Sequence, residues 1–218
     1  VNRRFDLLVF DWDGTLMDSA GAIVSSIQAA CRDLGLPVPD RATASHVIGL
    51  GLKDALTYAV PQLAQQDYGK LAERYRFHYL SQDAELSIFA GAEQMLRDLA
   101  GADFLLAIAT GKTRVGLDRA LGATGLAALF SASRCADESF SKPHPAMLME
   151  LMDRFGVTPA RTLMVGDTTH DLQMAVNAGV AGVGVTYGAH PKQQLAALEP
   201  LAIVDNVEEL AAWLRTNA

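Results

Sequence analysis

The hydrophobic positions of this chain fall in short dense runs, separated by longer stretches where they recur every three or four residues. Leu7-Leu8-Val9-Phe10 is the first run, apolar at consecutive positions as expected of a strand buried on both faces. Further strands are predicted at Phe104–Ala109, Leu129–Ser133, Thr162–Val165, Gly182–Thr186 and Ala202–Val204. Helical spacing lies between several of them. Ala92, Met95, Leu96 and Leu99 precede Gly101, and Met147, Leu148, Leu151, Met152 and Phe155 lie between Pro145 and Gly156. Proline suits a first helical turn and glycine a helix stop. The methionines of the second stripe read as core packing. Strands alternating with helices predict an α/β fold, a Rossmann-like parallel sheet core covered by helices.

The alternation lapses between residues 16 and 88, where only helical pattern is found. Ile23, Ile27, Ala30, Cys31 and Leu34 share one helical face, with Asp18 or Ser19 as cap and Gly35 as stop; Tyr68, Leu71, Ala72, Tyr75 and Tyr79 form a second amphipathic stretch. This is too long for an ordinary crossover connection. It predicts a helical cap, residues 16–88, inserted into a core made of residues 1–15 and 89–218. The cap is expected over the carboxyl edge of the sheet, where open α/β sheets bind ligands.

Composition narrows the partners. Half of the residues are apolar and a fifth charged, with a formal net charge of −7. That balance argues against a nucleic-acid or acidic-membrane surface, so an anionic substrate must be held by a local site. No apolar run is long enough to cross a bilayer, and Asp6 and Asp11 interrupt the first apolar segment too early for a signal peptide. Cys31 and Cys135 are far apart with no CxxC spacing, so both are expected as small buried side chains in a reduced, cytoplasmic protein. The glycines of AGVAGVGVTYG, residues 178–188, lack the GxGxxG spacing of a phosphate loop and read as a tightly packed strand.

The chemistry starts where the first strand ends, at FDWDGTL. Asp11 and Asp13 stand one residue apart, and like charges that close cost energy unless a cation or shared proton offsets them. Taken alone, the pair is equally a strand finishing in an Asp-Gly turn. Three later strand ends also carry polar groups: Thr110-Gly111 after FLLAIA, Lys142 in SKPHP, and Asp167 and Asp171 in MVGDTTHDL. If these strands are neighbours, four carboxylates, a lysine and a hydroxyl meet at one edge. Such carboxylates form a hard oxygen site suited to Mg²⁺. Lys142 supplies a point charge for a phosphate oxygen, and Thr110 with the Gly111 N–H supplies neutral donors.

In this order and at strand ends, the motifs resemble those of the haloacid dehalogenase superfamily, and of its phosphatases in particular. DWDGTL resembles the first motif, Thr110 the second, Lys142 the third and GDTTHD the fourth. The likeness spans essentially the whole chain, helical cap included, and is nearest to the phosphoglycolate-phosphatase-like branch. It implies hydrolysis of a small phosphorylated metabolite. Asp11 would be the nucleophile that forms an aspartyl-phosphate. Asp13 would protonate the leaving oxygen and later accept a proton from water. Mg²⁺ would be held by Asp11, the Asp13 backbone carbonyl and Asp167, with Asp171 directly or through water. Thr110, Gly111 and Lys142 would bind the phosphoryl oxygens.

The resemblance also implies that HVIGLGLKDAL, residues 46–56, faces the site, with His46, Gly49, Gly51 and Lys53 meeting the rest of the substrate. The competing reading is a helix–turn–helix corner with Lys53 in water. Trp12 departs from the Phe, Leu or Met common in the branch; strand alternation points it away from both acids, a packing change. His78, His144, His170 and His190 show no metal spacing and read as surface or capping residues.

Asp13 separates the chain from the superfamily's dehalogenases and phosphonate-cleaving enzymes, which lack an acid there. A β-phosphoglucomutase-type sugar-phosphate mutase shares all four motifs and stays open. A non-catalytic binding or regulatory member of the fold is the alternative from another class, opposed by the presence of every catalytic position. The assembly is expected to be a monomer or homodimer.

Overall fold

The computed structural model describes residues 3–218, Ala84 without its side chain, so residues 1 and 2 of the expected core segment lie outside the described residues. Six strands form one sheet: β1 (Leu7–Phe10), β2 (Leu105–Thr110), β3 (Ala132–Cys135), β4 (Thr162–Gly166), β5 (Ala181–Val185) and β6 (Ala202–Val204). All neighbours are parallel, in the order β3-β2-β1-β4-β5-β6. The chain therefore winds outward from β1 to one side through β2 and β3, and to the other through β4, β5 and β6. The crevice at that reversal is where such sheets accept ligands, and β1 sits in it.

Alternation along the strands builds two cores. Leu8 and Phe10 join Leu106, Ile108 and Val165 on one face, under α5 (Ala92–Gly101), α6 (Arg114–Thr124) and α10 (Val207–Asn217). Leu7 and Val9 join Ala107, Ala109 and Met164 on the other, against α7 (Ala146–Phe155) and α8 (Thr169–Asn177). The stripe Met147, Leu148, Leu151 and Met152 is buried in this second core. Trp12 continues the Leu8–Phe10 side, fully buried with an edge-on contact to Phe130 at 6.4 Å between centroids.

One expected strand is displaced. Leu129 closes a short 3₁₀ turn, Ala127–Leu129, and β3 begins only at Ala132, opposite Ala107. Leu129 and Phe130 pack on the core from this turn. A short apolar run is ambiguous between pairing in a sheet and packing on one, and here packing prevails.

Between β1 and α5 lie α1 (Ala20–Asp33), α2 (Arg41–His46), α3 (Leu52–Ala59) and α4 (Tyr68–Ser81). Their apolar faces close on one another: Ile27, Cys31, Val47, Leu56 and Leu71 share a cluster. The chain leaves and re-enters the sheet side by side, Met17 bridging to Asp13 and to Ile88. The remaining helix is α9 (Lys192–Ala196). Among the described residues no helix is long and apolar enough to cross a membrane.

Candidate active site

Strand register brings the polar ends together. Phe10 is level with Ile108 of β2 and Val165 of β4, so Asp11 emerges between the Thr110-Gly111 corner and Asp167. Asp11, Asp167 and Asp171 are fully buried, each with an oxygen within 4.8 Å of the others. Lys142 Nζ lies 2.8 Å from Asp11 Oδ1 and 2.7 Å from Asp171 Oδ1. Lys142 is thus ion-paired to both acids at once, while the other Asp11 oxygen, Oδ2, is buried without a hydrogen-bond partner.

Each carboxylate has at least one oxygen tied down. Asp11 Oδ1 accepts from the Trp12 N–H at 2.7 Å. Asp171 stands in the first turn of α8 in a reciprocal cap: its Oδ2 accepts from the Thr168 N–H (3.1 Å) and hydroxyl (2.6 Å), and its own N–H donates to Thr168 Oγ1. Asp167 is held from both sides, by Thr15 Oγ1 at 2.8 Å and the Ala189 N–H at 2.7 Å.

The electrostatics follow from burial. Desolvation pushes the Asp11 carboxyl well above the usual carboxylate range, Lys142 opposing and Asp171 and Asp167 reinforcing. Desolvation and the Asp171 charge push Asp167 up to about 7. For Lys142 burial alone would lower the pKa, but Asp11 and Asp171 outweigh it and hold the ammonium above its ordinary value. One buried cation facing three buried carboxylates is a deficit of positive charge. The surplus acid, the all-oxygen donors and the unpartnered Asp11 Oδ2 fit a hard divalent cation such as Mg²⁺.

Asp13 stands apart from this triad. Its Oδ1 accepts from Ser19 Oγ at 2.6 Å and pairs with Lys112 Nζ at 3.0 Å. Lys112 also donates to the Tyr79 hydroxyl at 3.0 Å and lies over its ring. Ser19 occupies the N-cap position of α1 yet makes no cap bond, because the Asp13 carboxylate takes its hydroxyl. Thr15, Ser19 and Lys112 were not predicted as site residues. Lys112 directly follows Thr110-Gly111, the only local signal it carries.

The loop between α2 and α3 lies on the site. A Cβ at Gly111 would overlap the carbonyl oxygens of Gly49 and Leu50, and one at Gly49, where φ is +91°, would come 3.8 Å from Asp11 Oδ2 and 3.2 Å from Thr168 Oγ1. The Gly51 N–H donates to Ser141 Oγ, next to Lys142, at 2.9 Å. Lys53 is exposed on α3, whose buried side is Ala55, Leu56 and Ala59, and does not line the cavity beside Asp13.

His46 lies against His170 and His190, a grouping that the reading of His170 and His190 as surface or capping residues did not contain, although His190 does accept from the first N–H of α8. His46, His170 and His190 offer ring nitrogens within 4.8 Å of one another, and His190 is 2% exposed. Sequence spacing cannot reveal a cluster drawn from positions 46, 170 and 190. His190 Nδ1 accepts the Thr169 N–H at 3.0 Å, so its Nε2 carries the proton and donates to the His46 carbonyl at 3.1 Å; His170 Nε2 donates to the same carbonyl at 2.7 Å. Two side chains of the sheet side thus clamp the α2 end. His144 does cap α7, accepting from the Ala146 N–H, and His78 pairs with Asp33 near the surface.

Burial and the neighbouring His170 lower the His190 pKa to about 4. A base with a depressed folded pKa contributes stability above its unfolded value, near 6.5, and loses it as pH falls towards the folded one. From pH 7 to pH 4 this costs about 3 kcal/mol. His190→Asn removes that slope, so the stability difference between variant and wild type shrinks across this interval. Urea titrations at pH 4, 5.5 and 7 check it; a difference independent of pH would exclude this source.

Comparisons with known proteins agree with this geometry. The family described as haloacid dehalogenase-like hydrolase matches residues 8–185. The chain is 40% identical over 210 residues to a Dickeya dadantii protein named "Probable phosphatase IndB", covering 94% of this chain and 91% of that one. It is 31% identical over 214 residues to an Agrobacterium fabrum phosphoglycolate phosphatase, covering 95% and 91%. The crystal structure of a predicted phosphoglycolate phosphatase from Haemophilus somnus superposes with a TM-score of 0.85 at 28% identity, covering 97% and 99% of the two chains. With its parallel sheet, its four motif positions at adjoining strand ends and a match over most of its length, the chain belongs to the haloacid dehalogenase-like hydrolases.

Proposed function

We propose that this phosphatase is a Mg²⁺-dependent hydrolase of small phosphomonoesters that works through an aspartyl-phosphate. The observation that carries the reading is the buried group of Asp11, Asp167, Asp171 and Lys142, three carboxylates with oxygens within 4.8 Å of one another against one cation. Residues 1–15 and 89–218 serve as the hydrolytic core and residues 16–88 as a lid. The relatives' names make 2-phosphoglycolate the first ester to assay. Both cysteines are free and buried, which suits a reducing, cytoplasmic setting.

Asp11, Asp167 and the Asp13 backbone carbonyl, with Asp171 directly or through water, would hold the cation, which when bound would supply positive charge against the phosphoryl oxygens. Asp11 attacks phosphorus as the bond to the alcohol oxygen breaks, and Asp13 gives that oxygen a proton. Lys142, Thr110 and the Gly111 N–H hold the phosphoryl oxygens as charge spreads over them. Asp13 then takes a proton from water, whose oxygen displaces Asp11 from phosphorus and frees inorganic phosphate. The Ser19 and Lys112 contacts aim Asp13 for both transfers.

Chelation is expected to abolish turnover and Mg²⁺ to restore it. Ca²⁺, which prefers a larger and looser shell, should restore under about a tenth of the rate. Full turnover of p-nitrophenyl phosphate after exhaustive chelation would sink the metal assignment.

A further inference from the structure

A cavity of about 250 Å³ opens beside Asp13, between the helical insert and the α6 side of the sheet. Ile23, Ile27, Ile48, Leu50, Tyr75 and Tyr79 line it. Leu80 of α4 and Val115 of α6 line it too and are 45% and 78% exposed, so the apolar surface runs out to solvent on both sides of the opening. Glycolate, two carbons long, would fill a fraction of a space that holds roughly eight waters by liquid volume.

Charge points the same way. Of the cationic residues lining the cavity, Lys112 is paired with Asp13 and bonded to Tyr79, Arg119 is paired with Asp83 at 3.1 Å, and Arg76 is exposed. A carboxylate carried in by the leaving group would have to compete with Asp13 for Lys112, reach the solvent-exposed guanidinium of Arg76, or stay unpaired against isoleucine and leucine, which is costly. A sugar would likewise bring hydroxyls to walls that are mostly apolar.

We propose that the ester cleaved here releases an uncharged alcohol with an apolar, ring-sized body, and that the cavity selects this body over glycolate. The inference rests on the phosphomonoesterase reading and deepens it by naming the substrate class.

The test compares kcat/KM for phenethyl phosphate and 2-phosphoglycolate at saturating Mg²⁺, both esters of primary alcohols, with p-nitrophenyl phosphate as control. Because each buried methylene is worth about ten-fold or more in such a pocket, phenethyl phosphate is expected to lead by at least about ten-fold. Leu80→Glu and Val115→Glu, at exposed positions that do not threaten folding, are expected to cut this lead several-fold. Equal or reversed preference in the wild type, or a lead that both variants leave intact, overturns the proposal while the control's turnover keeps the phosphatase reading standing. No turnover of any of the three esters overturns both.

Discussion

Lys142→Met is expected to destabilise the metal-free protein by about 3–5 kcal/mol, the usual consequence of stripping one partner from a buried ion cluster, and to abolish turnover. The side chain is wholly buried between Asp11 and Asp171, and methionine keeps most of its volume while removing the charge. Left alone, the acids relieve their repulsion by holding protons. Asp11 and Asp167 already stand above the normal carboxylate range, and loss of the lysine raises them further. An acid whose folded pKa lies above its unfolded value costs stability once pH exceeds the unfolded pKa. The deficit of Lys142→Met should therefore be modest at pH 5 and larger at pH 8, and excess Mg²⁺ should recover part of it by binding only the folded state. Urea midpoints at the two pH values decide this. A deficit equal at both would mean that Lys142 acts by packing alone.

Most of the sheet was legible because its central strands are compact apolar runs and the helices against them periodic, and because Pro145 and Gly156 punctuate where α7 begins and ends; β3, with the sequence ASRC, is no apolar run and was expected too early. Asp11, Lys142, Asp167 and Asp171 could be selected only together, because polar groups following several strands in that order resemble one family's motifs, whereas the first acid pair alone is equally a turn. Beyond that, local pattern fails for definite reasons. Ser19 reads as a helix cap, and only the fold reveals that Asp13 has captured its hydroxyl. Lys112 reads as an ordinary loop lysine until Tyr79, thirty-three residues earlier, folds over it. The tyrosines of α4 mark an amphipathic helix, but periodicity does not tell that Tyr75 and Tyr79 border a cavity rather than a solid core. The His46, His170 and His190 cluster joins segments more than a hundred residues apart. In each case the missing information is a contact between the helical insert and the strand ends, set by the angle at which the two pack.

The positions of the two acids that follow β1 predict different failures. Asp11 sits among the buried acids with Oδ2 unpartnered, whereas the Asp13 side chain is turned to Ser19 and Lys112. On an alkyl phosphate both Asp11→Asn and Asp13→Asn should lose at least about 10²–10⁴-fold in turnover, and steady-state rates will not separate them. An aryl phosphate with an acidic phenol leaves without help from a proton donor, so its first step should survive Asp13→Asn. Hydrolysis of the phosphorylated enzyme still needs a base for water, which asparagine cannot provide. Asp13→Asn should therefore release about one phenolate per active site in a burst and then stall, with phosphate bound covalently to the protein. Asp11→Asn should show no burst, since the attacking oxygen has gone. Stopped-flow absorbance, followed by intact-protein mass measurement, reads both outcomes. A burst from Asp11→Asn, or none from an Asp13→Asn protein that still binds Mg²⁺, would overturn the roles proposed for the two acids.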